Sequence, residues 1–194
     1  MDDVRPIEYG TVLVGGARWP CIVHVVDHPD GAILVDTGMI DSTPELDDEW
    51  HPEFDVEAVP RAVACVVNTH LHFDHCGGNR LFVGVPLYVQ ACERAAAREP
   101  GYTIPEWVEF DGATYVEHDG EAEILPGIRL LPTPGHAPGH QSVLVDTEDG
   151  LVVLAGDVGY TWGQFDRSES GQLLMSLRPR RIWLAHQAEP RDLP

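Results

Sequence analysis

Seven side chains suited to holding metal ions fall at four places in this sequence. The densest is THLHFDH at 69–75, where His70, His72, Asp74 and His75 lie within six residues. They follow directly on VACVVN, an apolar run that reads as a buried strand over 63–68. A strand that stops abruptly presents the next loop at a sheet edge. There His70 and His72 can reach one ion while Asp74 and His75 turn toward another. One loop cannot fill two coordination shells, and the other donors stand at three further strand ends: His136 in LLPTPGHAPGHQS, Asp157 in LVVLAGD and His186 in RIWLAH. Donors placed at successive strand ends are how an α/β sandwich builds a site along one edge. Five imidazoles and two carboxylates without a thiolate suit zinc, and also iron, manganese or cobalt. The set predicts two divalent ions about 3.5–4 Å apart with a water or hydroxide between them. Hydrolysis by that hydroxide needs no seryl or cysteinyl nucleophile, and no GxSxG motif occurs.

The other histidines and the four cysteines are read as structural. His24 lies inside a strand and is expected in the core. His28, His51 and His118 sit in polar turns or at a strand end and are expected to be exposed. His140, in PGHAPGH, is expected to orient the loop of His136 through hydrogen bonds. Cys21, Cys65, Cys76 and Cys92 form no CxxC pair and are expected as free thiols, with Cys65 in the core and Cys76 in the wall of the site.

The elements that must position these donors alternate between short apolar runs and turn signals. Strands are expected at 7–14, 20–27 and 31–36, the last two joined as a hairpin by HPDG, and at 63–68, 85–90, 114–118, 121–125, 127–132, 141–147, 151–155 and 181–185. Helices are expected at 91–99, from Gly77–Gly78 through Leu81–Phe82, and over 165–177. The polar stretch 39–60, with Trp50 and Phe54, reads as a loop with one helical turn, either a wall of a binding site or a plain surface connection. The pattern is α/β.

A chain of 194 residues fits one domain, 1–194, and its 43% hydrophobic content is that of a soluble globular protein. The formal charge of −20, from 32 acidic against 12 basic residues, repels phosphate backbones and anionic lipid. Nucleic acid and membranes are therefore not expected as partners; a small-molecule substrate is, for a monomer or homodimer. No apolar stretch is long enough to span a bilayer, and MDDVRPIEYG lacks the pattern of a secretory leader, so the expected location is cytoplasmic.

HLHFDH followed by CGGN resembles the HxHxDH signature of the metallo-β-lactamase superfamily. TPGHAPGHQS resembles its third-histidine loop, LAGD the strand carrying its bridging aspartate, AHQ the segment carrying its last histidine, and DTG at 36–38 its early strand-end motif. HLHFDHCGGN, LPGIRLLPTPGHAPGHQSV and GDVGY are similar to the N-acyl-homoserine lactonases within it. The resemblance implies an αβ/βα four-layer sandwich. It implies one metal on His70, His72 and His136, the other on Asp74, His75 and His186, and Asp157 bridging them. It also implies that Tyr160, three residues past the bridge, contacts the substrate carbonyl, and that Asp74 shuttles a proton. The chain is short between Met39 and Val63 and after Tyr160, regions that build the acyl pocket in that family. The alternative is a thioester hydrolase of the glyoxalase II type or a broad esterase on the same site. A glutathione thioester would call for basic residues, and only Arg80, Arg94, Arg98 and Arg167 are candidates.

Overall fold

Residues 4–194 are described by the structure, a computed structural model. The leader-free reading of residues 1–10 lies partly outside them. A seven-stranded sheet is built from β1 (Val4–Val14), β2 (Ala17–Val26), β3 (Ile33–Val35), β4 (Glu53–Phe54), β5 (Cys65–Val67), β6 (Pro86–Gln90) and β7 (Thr114–His118), in the order β4-β1-β2-β3-β5-β6-β7. Strands β3, β5, β6 and β7 run parallel, while β1, β2 and β3 form antiparallel pairs. The second sheet comprises β8 (Ala122–Leu125), β9 (Ile128–Pro132), β10 (Gln141–Thr147), β11 (Gly150–Leu154), β12 (Arg181–Trp183) and β13 (Arg191–Asp192), ordered β13-β12-β11-β10-β9-β8. Here β11 and β12 are the parallel pair.

The period-two alternation of each strand sorts its side chains between two cores. Ile33, Val35, Cys65 and Val67 meet Ile128, Leu130, Val143, Val145, Val152 and Leu154 between the sheets. Leu34 and Val66, pointing the other way, pack with Leu46, Trp50, Phe73 and Trp107. These belong to the helices α1 (Pro44–Glu49), α2 (Phe73–Cys76) and α4 (Pro105–Val108) and the chain beside them. On the far side Leu144 and Val153 pack with Phe165 of α5 (Trp162–Arg167) and Leu174 of α6 (Glu169–Ser176). The α3 helix (Ala91–Ala96) follows β6 and, with Ala97, covers Val89. The result is the four-layer αβ/βα sandwich implied by the resemblance. Each fully buried Leu, Ile or Val contributes about 1.5–3 kcal/mol to it.

Several elements depart from the sequence reading. The helix expected from Gly77 begins earlier, inside the donor motif, and Asn79–Leu81 forms a separate 3-10 turn. Long-range contacts impose this: the His75 carbonyl accepts the Thr37 N–H at 2.8 Å, and the Gly78 N–H bonds the Gly38 carbonyl at 2.8 Å. The backbone at Gly78 is pressed against the Thr37 carbonyl so closely that no Cβ fits. The helix expected over 165–177 is two helices. Ser168, extended at φ −77° and ψ 149°, ends α5 and caps α6 by accepting the Gly171 N–H at 2.9 Å. His28 and His118 are half-buried, not exposed, because each ring bonds a distant segment: His28 Nε2 bonds the Pro126 carbonyl at 3.2 Å, and His118 Nε2 meets Gln90 and Gln141 at 3.0 Å each. Among the described residues no helix is long and apolar enough to cross a membrane.

His24 is in the core as expected, its ring against Trp183 at 5.4 Å. Burial holds its pKa down at about 3, from 6.5. Between those values the unfolded chain binds a proton that the folded chain refuses, so this residue costs stability as pH falls from 6.5 toward 3, at up to about 1.4 kcal/mol per pH unit. In urea unfolding at pH 6, 5 and 4, His24→Leu should therefore lose stability with acid less steeply than the parent, by close to one proton. Parallel curves for the two proteins would show that His24 is not buried neutral.

Candidate metal centre

The four donor segments meet at one end of the sandwich. His70 Nε2 lies 3.1 Å from His72 Nδ1, which lies 2.9 Å from His136 Nε2. Beside this triad, Asp157 Oδ1 is 3.5 Å from His75 Nε2. Its Oδ2 is 3.4 Å from His186 Nε2, 3.5 Å from His136 Nε2 and 4.0 Å from His70 Nε2. Asp74 Oδ2 approaches His75 and His186 at 3.7 and 3.5 Å. All seven residues singled out in the sequence are thus brought together, with the Asp157 carboxylate between the two groups.

Partners on the far side of each ring set which nitrogen faces the cluster. His75 Nδ1 donates to Asp36 Oδ2 at 2.8 Å, which turns Nε2 inward. His186 Nδ1 donates to the Pro20 carbonyl at 2.8 Å. His70 Nδ1 donates to Thr69 Oγ1 at 3.1 Å, and that hydroxyl donates to Asp36 Oδ2 at 2.8 Å. Asp36 also accepts the Thr69 N–H at 2.7 Å. It adopts a left-handed φ of 62°, an uncommon conformation for a residue with a Cβ, held by these bonds. His140 stands behind the cluster: its Nδ1 bonds the Thr133 carbonyl at 3.0 Å, and its Nε2 accepts the Asp157 N–H at 3.0 Å.

Donor chemistry and unpaired atoms both fit divalent cations. Among the described residues His75 Nε2 and Asp157 Oδ1 are buried without a hydrogen-bond partner, an arrangement that costs free energy unless an ion satisfies it. Burial holds His70 well below its usual pKa and His72 at about 4, so both keep a free lone pair at neutral pH. For His75 and His186 burial also pushes down, but the carboxylates around them, Asp157 foremost, outweigh it and raise both well above the ordinary value. Burial pushes the Asp157 carboxyl up, yet His186 and His75 outweigh it and hold it well below the usual range. Ligand protons and metal ions compete for the same atoms. The residues that would hold two ions are His70, His72 and His136 on one side, and Asp74, His75 and His186 on the other, with Asp157 serving both.

No thiol is needed. Cys76 is fully buried and its Sγ faces the Leu71 carbonyl at 3.3 Å; Cys65 lies between the sheets. Cys76→Ala and Cys65→Ala should each leave metal content unchanged by elemental analysis. Loss of one equivalent from either would expose a missed ligand. Cys21 is closer, its Sγ 3.8 Å from His186 Nδ1, on the side of the ring that the Pro20 carbonyl already occupies.

A cavity of about 620 Å³ opens above the cluster. Tyr160 reaches into it, its hydroxyl 3.2 Å from His136 Nδ1. The stretch 39–60 is a wall of this cavity, through Leu46 and Trp50. Trp19 and Tyr102 form other parts of the wall, which the sequence reading missed because their neighbours in the sequence carry no donor motif.

The sequence model of the metallo-beta-lactamase superfamily matches residues 16–187. An N-acyl homoserine lactonase of Bacillus sp is 34% identical over 168 residues, covering 76% of this chain and 67% of that protein. Among solved structures, an N-acyl homoserine lactone hydrolase with N-hexanoyl-L-homoserine bound at its catalytic metal centre is similar with a TM-score of 0.83. It is 26% identical, and the match covers 95% of this chain and 93% of that one. A metallo-beta-lactamase-like protein of Thermotoga maritima, 22% identical with a TM-score of 0.72 over 98% and 99% of the two chains, shares the fold. The family match takes in every segment that carries a donor to the cluster, and the chain belongs to the metallo-beta-lactamase superfamily.

Proposed function

We propose that this chain is a dinuclear metal-dependent hydrolase that opens the ring of N-acyl-homoserine lactones, with zinc as the resident ion on ligand chemistry. The observation that carries this reading is the cavity. Its wall above the cluster is apolar, through Val12, Trp19, Leu46, Trp50, Phe73 and Ile104, and among the described residues no arginine lines it. The chain has no lysine. The charged groups at its rim are the carboxylates Glu45 and Glu49. An uncharged ring with an acyl tail suits such a wall, whereas a glutathione thioester brings carboxylates with nothing to pair them. The 34% identity to a lactonase points the same way.

Held by His70, His72, His136, Asp74, His75, His186 and Asp157, two divalent ions would supply a hydroxide near neutral pH and a positive charge beside the lactone carbonyl. The chain's own residues do the rest. His136 Nδ1–H donates to the Tyr160 oxygen, which leaves the Tyr160 O–H proton free for the carbonyl oxygen as negative charge develops there. Burial holds that phenol protonated far above its usual pKa. Asp74, half-buried in the cavity lining, takes the proton still carried by the oxygen that has added to the carbonyl and passes it to the ring oxygen as the ring C–O bond breaks, leaving a carboxylate and an alcohol.

The test is a hydrolysis panel on metal-analysed protein: acyl-homoserine lactones of short and long chain, simple lactones, aryl esters and S-lactoylglutathione. Lactones with an acyl tail should give the highest kcat/KM. Preference for S-lactoylglutathione would replace this reading with the thioesterase one.

A further inference from the structure

Glu93 belongs to neither of the loops that carry the histidine triad, yet it is bonded to both. It is the third residue of α3 and is completely buried. Its Oε1 accepts the Leu71 N–H at 2.8 Å and the Tyr102 hydroxyl; its Oε2 accepts the Gly139 N–H at 2.9 Å. Leu71 is the residue between His70 and His72. Gly139 lies in the loop of His136, just before His140, and its backbone rests so closely on Glu93 that a Cβ there would collide with the glutamate backbone. The Tyr102 ring packs on His72, with centroids 4.8 Å apart. The neighbouring Arg94 is engaged elsewhere, with Glu109 and Glu117. A buried carboxylate reached by three donors from three segments fixes their mutual separation more tightly than apolar packing does, because each bond is short, directional and costly to leave unmade.

We infer that Glu93 is a positioning residue of the metal centre. It holds the His70–His72 loop and the His136 loop at the separation at which the three imidazoles share one ion. This rests on the dinuclear reading of the centre. The other half has its own supports, Asp36 behind His75 and the Pro20 carbonyl behind His186. Glu93 bonds only the segments of the triad, so its loss acts first on that ion, whereas a general loss of stability would weaken both.

In Glu93→Gln the volume stays, but an amide NH₂ must face one of the three donors. Chelator competition against the cobalt- and zinc-loaded protein reads the two affinities separately. In the zinc-loaded protein the imidazole nitrogen resonances of His70, His72 and His136, against those of His75 and His186, assign each affinity to its site. Glu93→Gln should weaken the ion of His70, His72 and His136 by about 10–100-fold, the usual effect of losing an outer partner of metal ligands, and change the other by less than about threefold. Glu93→Asp, one methylene too short to reach both Leu71 and Gly139, should weaken the same ion by a smaller factor and serves if the glutamine variant does not fold. Equal weakening of both ions, or no change in either, overturns the inference. A parent protein that binds fewer than two ions overturns the dinuclear reading instead.

Discussion

Asp157→Asn should leave a folded chain that retains neither ion at full occupancy and turns over substrate at least on the order of a thousandfold more slowly. Among the described residues Asp157 is the one carboxylate within reach of both groups, with Oδ1 toward His75 and Oδ2 toward His186, His136 and His70. Its Oδ1 has no hydrogen-bond partner, and its backbone N–H is already held by His140. An amide keeps the shape but loses the negative charge and turns an NH₂ toward the ions. An outer partner of a metal ligand is worth about 10–100-fold; a ligand shared by two ions is worth more. Elemental analysis after gel filtration, with unfolding followed in parallel, checks it. Two ions and full activity in Asp157→Asn would remove the bridge assignment.

Tyr160→Phe has the second-largest expected effect and concerns chemistry in place of metal content. The ring is held by its surroundings: Trp19 meets it edge-on at 5.9 Å, and His136 and His186 stand at 5.4 Å. Its backbone is tied at both ends, the N–H to Gln164 and the carbonyl to Gln187 Nε2 at 2.7 Å. Phenylalanine therefore stays in place and only the hydroxyl is lost. His136 loses an acceptor for its Nδ1–H at a site 20% exposed, where water can substitute, so both ions should remain. Loss of an oxyanion donor costs about a hundredfold when that donor acts alone, and roughly tenfold when metal charge carries most of the work. The expected signature is a kcat lower by about 10–100-fold with KM little changed. Equal kcat on every lactone would reduce Tyr160 to a packing residue.

That these seven side chains would gather at one place was legible in the sequence because both of its signals are local. Four donors within six residues, and single donors in the turns that leave apolar runs, need only strand length and period-two burial to be read. The fold followed for the same reason: in β3 and β5 the alternation of inward and outward residues decides which core each side chain joins. What misled was local too. HFDHC looked like an open loop, and the contacts of Thr37 and Gly38 wind it into a helical turn that brings Asp74 Oδ2 within 3.7 Å of His75 Nε2.

Which nitrogen each histidine presents was beyond sequence reasoning, because Pro20 and Asp36 act across 166 and 39 residues of chain. So was Glu93, which in ACERAAARE looks like any surface glutamate of a short helix. Nothing in its neighbourhood announces that Leu71 and Gly139, 22 and 46 residues away, bring their amides to it. Part of the cavity wall is of the same kind: the stretch that carries Trp50 was read as a candidate wall, but Trp19 and Tyr102 come from segments without any such signal. Spacing along the chain fixes which atoms can bind an ion. Distance, tautomer and the wall that meets the substrate are set where segments far apart in sequence pack together, because hydrogen bonds and close packing depend on spatial neighbours and carry no short-range periodicity for a sequence to display.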